Sequence, residues 1–355
     1  MIKVFNETQD LLPLKEEWIW LCQHSGTPIT PFQQFDYIRY SWEFMCANLG
    51  QLHVIVIIRQ KDKLVQAIFP CYIDKKKCLR FINDRHSDFC SAIIHRDFID
   101  DYHLYEEFYE YYLSNKYIKR LQFINIREDN PMFANLAYFL KGSINRVVNM
   151  YSDFPISSTN NTQASFVNEL SRLNTKEKYR LKNVLKKTTE LSLRIYDCRE
   201  EPFPETVING LIQQMIISGL RTDNYFSAQM VTLFKSLYNS ELLKLFVTYN
   251  KEQPIAANLF FYTEQTRDYI DWISLYIEKR NNLYNLLQAI EFISHDGGKL
   301  NFARGTYEYK MHNFRPSLHF LHGIYHSKSE FDKFCDLLNT NCYYLRQIAK
   351  SILRK

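Results

Sequence analysis

Residues 52–83, laid on residues 243–274 at a constant offset and without a gap, repeat one pattern of strands and turns. Such a repeat confines the chain to folds that use one unit twice. In the first copy Leu52-His-Val-Ile-Val-Ile-Ile58 is a β-branched run that reads as a buried strand. The polar turn Gln60-Lys-Asp-Lys63 then leads into Leu64-Val-Gln-Ala-Ile-Phe69, and the three segments predict a hairpin. In the second copy Leu243 to Tyr249, the turn Asn250 to Pro254, and Ile255 to Phe261 repeat it, with proline at the turn exit where a missing amide is tolerated. A third strand follows in each copy, Cys78 to Asn83 and Tyr269 to Ser274, and then a helix and a returning strand. These are Tyr102 to Leu113 before Leu121 to Ile126, and Leu283 to Ile293 before Leu300 to Ala303. The second helix carries Leu283, Leu286, Leu287, Ile290 and Ile293 on one stripe, and Asp296-Gly297-Gly298 closes it. Each half is therefore expected to be an α/β unit with a mixed, mostly antiparallel sheet flanked by helices.

A length of 355 residues suits two domains, each large enough for its own core. The small polar stretch Pro155 to Gln163 marks the boundary, predicting domains at 1–155 and 165–328 and a terminal helix at 329–355. That helix is expected to pack on the body, with an interfacial membrane contact as the alternative. With only 9 Gly and 10 Pro, collagenous and low-complexity readings fail. Eight cysteines at irregular spacings read as reduced core residues. Met1-Ile2-Lys3-Val4 meets Glu7, Asp10 and Pro13 before an apolar signal can form, and no 18-residue apolar run exists. Together these predict a cytoplasmic protein.

Forty-four Lys and Arg against 39 Asp and Glu give a net charge of +5, compatible with anionic ligands and demanding none. Much of the cationic surface gathers at 175–191, which reads as an amphipathic helix with Leu181, Val184, Leu185 and Thr188 on one face. Lys176, Arg180, Lys182, Lys186 and Lys187 lie opposite. Either this is a solvated helix face or it is a footprint for a phosphate-rich ligand, a nucleic acid or an anionic membrane. Near the other end, Arg304-Gly305 falls where a strand gives way to a loop, with Lys310 and His312 close behind. Strand ends are where α/β sheets place ligands. A cation there suits a developing oxyanion or a phosphate, and a glycine permits close approach, although pairing of Arg304 and Lys310 with Glu308 would also explain the charges. His312, His319, His322 and His326 cluster without Cys or an HExxH pattern, so no metal site is expected. No Rossmann glycine fingerprint, P-loop or nucleophile elbow is present. The 25 Tyr and 26 Phe are assigned mainly to core packing.

The basic segment Lys178-Tyr-Arg-Leu-Lys-Asn183, the Arg304-Gly305 and Tyr309-Lys310 pairs, and Ser87-Asp88-Phe89 together resemble the CelD-like acetyltransferases of the GNAT superfamily. These are similar in turn to Fem-type aminoacyl transferases. Over roughly residues 30–325, the resemblance implies a tandem GNAT-like fold. It implies an acyltransferase that moves an acyl group, acetyl first, from acyl-CoA to an amine or hydroxyl of a sugar or cell-envelope precursor. Lys310 would stabilise charge in the reaction, as the lysine of the equivalent motif does in Fem-type relatives. Arg304 is a further catalytic candidate, and Tyr309, Gly305, Arg180 and Lys182 are candidates for substrate binding. Asp88, Asp271, Glu308 and His312 are the candidate bases. The segment Glu278-Lys-Arg-Asn-Asn-Leu283 stands where such enzymes usually carry a glycine-rich turn for the CoA pyrophosphate. Lys279, Arg280, Asn281 and Asn282, at a helix start, are the candidate cofactor contacts in its place. Two alternatives stay open. One is a non-catalytic module whose basic helix holds an anionic membrane or a polysaccharide-synthesis complex. The other is Fem-type aminoacyl transfer from charged tRNA, which a net charge of +5 permits without favouring a nucleic-acid partner.

Overall fold

Both hairpins form, and each sits in its own compact unit. The structure, a computed structural model, describes residues 1–154, 167, 172–222, 225–305, 307–330, 333, 334 and 338. The first unit comprises Met1–Asn149 and Phe320–Lys355, and the second Met150–His319. The expected spans of 1–155 and 165–328 differ from this at both ends. Residues 320–327 belong to the first unit because they pair with its strand 120–127. The linker expected at 155–165 and most of the expected terminal helix lie outside the described residues.

In the first unit β1 (Ile2–Phe5) pairs with β3 (Val54–Ile58), which pairs with β4 (Val65–Phe69). One hairpin register runs from there into β2 (Gly50–Leu52) and β5 (Cys71–Asp74), since Leu52 faces Tyr72 as Ile55 faces Phe69. His53 and Pro70 interrupt it. Proline lacks the amide a central ladder needs, so the strand is broken there and its two halves join different sheets. The outer half, β4, pairs with β7 (Ile93–Ile94), while β5 pairs with β6 (Cys78–Phe81). β6 then runs parallel to β8 (Arg120–Arg127), and β15 (Ser317–Ser327) is antiparallel to β8. Helices α1 (Lys15–Gln23), α2 (Phe35–Ser41), α3 (Tyr102–Ser114) and α4 (Pro131–Phe139) complete the unit. Asp101 caps α3 by accepting from the His103 amide. Stacked pairs Phe69–Phe108 and Phe81–Phe123, with ring centres 4.3 and 4.1 Å apart, lie in the core between α3 and the sheet.

The second unit orders its strands β10 (Leu191–Tyr196), β11 (Leu243–Asn250), β12 (Gln253–Thr263), β13 (Asp268–Tyr276), β14 (Lys299–Arg304) and the end of β9 (Ile144–Phe154). All neighbours are antiparallel except β13 and β14. Around the sheet lie α5 (Thr175–Lys187), α6 (Glu205–Ile217), α7 (Ala228–Asn239), α8 (Lys279–His295) and α9 (Glu308–Phe314). Alternation sends Phe260 and Phe261 to opposite faces. Phe260 lies in the cluster with Leu286 and Ile290 of α8, whereas Phe261 meets Trp272, which meets Phe234 of α7. Coverage on both faces explains why β12 is a buried apolar run. Gly297, at φ +71°, ends α8 in the left-handed conformation expected there.

Each unit thus has a hairpin, a third strand, a helix, and a strand returning parallel to the third. This is the tandem GNAT-like α/β architecture, with mixed, mostly antiparallel sheets flanked by helices.

Candidate functional site

In the second unit β13 and β14 stay paired only from Asp268, Tyr269 and Ile270 to Lys299, Leu300 and Asn301. Beyond this the ladder opens. Trp272 is the extra residue of a β-bulge, since Asp271 faces Phe260 while Ile273 faces Leu259. A bulge re-aims side chains and interrupts the ladder, and here it stands beside the opening.

Asp271, the first residue past the last parallel pair, is buried, and its Oδ1 accepts from Asn258 Nδ2 at 3.1 Å. Its Oδ2 lies 3.1 Å from Lys310 Nζ, and both side chains are less than 5% exposed. Lys310 also donates to the Phe302 carbonyl of β14 and lies 5.4–5.8 Å from the ring centres of Phe302, Tyr307 and Tyr309. A cation so buried persists only when paired, and the carboxylate and aromatic faces supply that pairing. The route that brings Lys310 back is local. Asn301 Oδ1 accepts from the Ala303 amide at 2.7 Å with Ala303 at φ +56°, and Gly305 follows at φ +104°. A side chain on Gly305 would come within 2.7 Å of the Tyr307 ring. Glycine is what the turn from β14 into α9 requires.

The Tyr309 hydroxyl bonds with Asn282 and Ser274, and burial pushes its pKa up to about 12, against the pull of the Lys310 charge. It is therefore a neutral donor at ordinary pH. Asn258 and Asn282 each keep a buried side-chain oxygen with no hydrogen-bond partner among the described residues. Such oxygens call for an N–H group brought by a ligand or for water.

The structure thus brings together Lys310, Asp271, Tyr309 and Asn282 of the residues singled out from sequence. Gly305 shapes their approach. Arg304 ends β14, half-buried and opposite Tyr151. Glu308 opens α9. His312 is exposed two residues from Lys310 and is bonded to Arg180, whose guanidinium also donates to Asn313 Oδ1 at 3.0 Å. Lys182 lies on α5 away from Arg180's contacts. Asp88 belongs to the first unit, where residues 82–90 fill the corresponding space between β6 and β8. Asn125 Nδ2 donates to the carbonyls of Asp84 and Ser87, and the Cys90 amide to that of Asn125.

The expected cofactor contacts at the start of α8 divide. Lys279 and Arg280 are exposed, while Asn281 and Asn282 are buried. Glu278 occupies the N-cap, its carboxylate 2.6 Å from Arg280, and the Asn281 amide already donates to the Glu278 carbonyl. The Glu278 side chain makes no hydrogen bond to the helix amides and is paired instead with Arg280. Among the described residues no group of His, Cys, Asp and Glu could hold a metal ion, and no helix is long and apolar enough to cross a membrane.

Asn258 was legible only as the polar residue within Ile255 to Phe261. Nothing in the sequence tied it to Asp271, which sits thirteen positions on.

No family model matches the chain, and no curated protein matches it in sequence. Solved structures do match in fold. The C-terminal domain assigned to a lysylphosphatidylglycerol synthetase of Agrobacterium fabrum has a TM-score of 0.60 at 9% identity, covering 94% of this chain and 96% of that one. The L-PGS of Bacillus licheniformis gives 0.57 at 10% identity, with 92% and 95% covered. FemX gives 0.54 at 9% identity, with 90% and 96% covered. The likeness spans both units and is one of fold.

Proposed function

We propose that the chain is an acyl or aminoacyl transferase whose second unit holds the reacting carbonyl at the opening between β13 and β14. The observation that carries this reading is the buried Asp271–Lys310 pair at the opening. The fold likeness to the domain assigned to a lysylphosphatidylglycerol synthetase, to the L-PGS and to FemX supports it, as does the resemblance to CelD-like and Fem-type transferases. An amine or hydroxyl acceptor attacks the carbonyl of an activated ester or thioester, and negative charge develops on the carbonyl oxygen. Lys310 supplies a fixed positive charge in a water-poor site, where such stabilisation is strongest. Asp271, steadied by Asn258, positions the lysine. The attacking group loses one proton and the leaving alkoxide or thiolate gains one, and the neutral Tyr309 hydroxyl suits the donating side of that exchange. The unpartnered oxygens of Asn258 and Asn282 suit an N–H of the donor or acceptor. We assign the acceptor to the cell-envelope precursors. Acetyl transfer from CoA is the finer reading of the CelD-like resemblance, and transfer from an aminoacyl ester is the alternative.

The test offers the full chain acetyl-CoA or aminoacylated tRNA, each with membrane and peptidoglycan-precursor extracts, and follows thiol release or deacylation. Lys310→Met is expected to slow transfer by about 10²–10³-fold with a cooperative melt retained. Wild-type rates in that variant would remove Lys310 from the chemistry.

A further inference from the structure

On the second unit a groove of about 560 Å³ runs between α5 and α9, large enough for a nucleotide-sized ligand. Its α5 wall is one helical stripe, Lys176, Tyr179, Arg180, Asn183, Val184 and Lys187, and His312 of α9 faces it. The stripe separates cations that look alike in sequence, because Lys182 and Lys186 do not line the groove. Lys176 and Lys187 are exposed and have no ion pair among the described residues. The one acid in the lining, Glu177, is already bound by Arg315 and accepts from the Asn174 amide. Arg180 is held rigid by His312 and Asn313. Tyr179 is 66% exposed on a helix that packs Leu181 and Leu185 into the core, so its ring is available to the groove.

We infer that this groove binds a nucleoside phosphate, with the base on the Tyr179 ring and the phosphate among Lys176, Arg180 and Lys187. Stacking needs a flat aromatic face, Asn183 offers both a donor and an acceptor to a base edge, and Val184 gives an apolar floor. A modest net charge and a locally concentrated one favour a free nucleotide or a nucleic-acid terminus over a surface that follows the length of a polyanion. The inference rests on the transferase reading for its purpose, which is to hold the carrier of the activated acyl group. α9 presents His312 to the groove and buries Lys310 at the reaction site. Two carriers share this chemistry, the nucleotide of CoA and the 3′ end of an aminoacylated RNA.

Titration calorimetry on the full chain would use adenosine 5′-monophosphate, coenzyme A and the trinucleotide CCA as probes. At least one is expected to bind, and CoA or CCA binding tighter than the monophosphate names the carrier. Tyr179→Ala and Lys187→Glu are expected to weaken that binding at least about tenfold. Lys186→Glu, with the same charge change one residue away, stays within about threefold, and all three melt like the parent. Equal losses in Lys186→Glu and Lys187→Glu would overturn the site in favour of diffuse attraction. Binding of phosphatidylglycerol vesicles in place of every nucleotide probe would assign the groove to lipid, and no binding of any probe would remove it. Nucleotide bound without transfer in the parent defeats the transferase reading and leaves this one standing, and transfer in the parent with no probe bound defeats this one alone.

Discussion

At the scale of single residues, two buried groups govern what the protein tolerates. Lys310→Met leaves the Asp271 carboxylate buried without its cation, which costs about 3–5 kcal/mol. Asp271→Asn combined with Lys310→Met removes both charges and is expected to recover a large part of that loss, as denaturant titration would show. If the double variant is no more stable than the single, the ion pair is not what the opening is built around. In the first unit, burial pushes the pKa of His53 down to about 4; its Nε2 accepts from the Tyr111 hydroxyl at 2.6 Å and its Nδ1 faces Asn6 Oδ1 at 3.2 Å. The fold therefore holds this ring neutral while the unfolded chain takes up a proton near pH 6.5. The contribution is present above about pH 6.5 and falls away toward pH 4, amounting to roughly 3 kcal/mol. Melting temperature should drop across that window, and His53→Gln should flatten the drop; a parallel curve in the variant would clear His53. Lys310 was legible from its motif and Asp271 from its place in an apolar strand. Their partnership was not, since it depends on the left-handed turn at Ala303 and Gly305, which tertiary packing fixes.

Elements show where sequence pattern is strong and where it fails. The hairpins, α3, α5 and α8 stand close to where periodicity and end signals put them, because each carries a continuous apolar run or stripe. The break at His53 and Pro70 was not read, since the run from 52 to 58 looks unbroken. Helices α6 and α7 were not read either, although Ile208, Leu211, Ile212 and Met215 form an apolar stripe on the first and Met230, Leu233, Phe234 and Leu237 on the second. Gly210 sits exposed on α6 with nothing within 4 Å of an added Cβ, so Gly210→Ala is expected to stabilise by about 0.5–1 kcal/mol. Gly298 is the opposite case, for its added Cβ would lie 2.9 Å from the Arg267 carbonyl and from the Tyr269 ring. Gly298→Ala is expected to lower stability by about 1–3 kcal/mol. Melting curves of the two variants should move in opposite directions, and a neutral Gly298→Ala would mean that the turn after α8 yields.

For the whole molecule, the offset repeat announced two copies of one fold, while residues 320–327 return to the first unit. The run Ser317–Ser327, with three His, read as part of a histidine cluster, although it is a strand whose inner residues Leu321 and Ile324 are fully buried. Ile324 packs in the core of the first unit with Phe123 and Leu121. Ile324→Ala is expected to cost about 2–5 kcal/mol and to speed hydrogen exchange in β8 while leaving β12 protected. Equal loosening of both strands would contradict the assignment of residues 320–327 to the first unit. That assignment has a consequence for how the chain is made. A ribosome delivers residues 1–149 long before residue 327, and at about 5–20 residues per second the interval is roughly 10–35 seconds. Throughout it the β8 edge awaits its partner strand, while the second unit, from Met150 to His319, emerges as one uninterrupted stretch. The later-made half is thus the first whose residues are all present, and the earlier half closes only when residues 320–327 follow it.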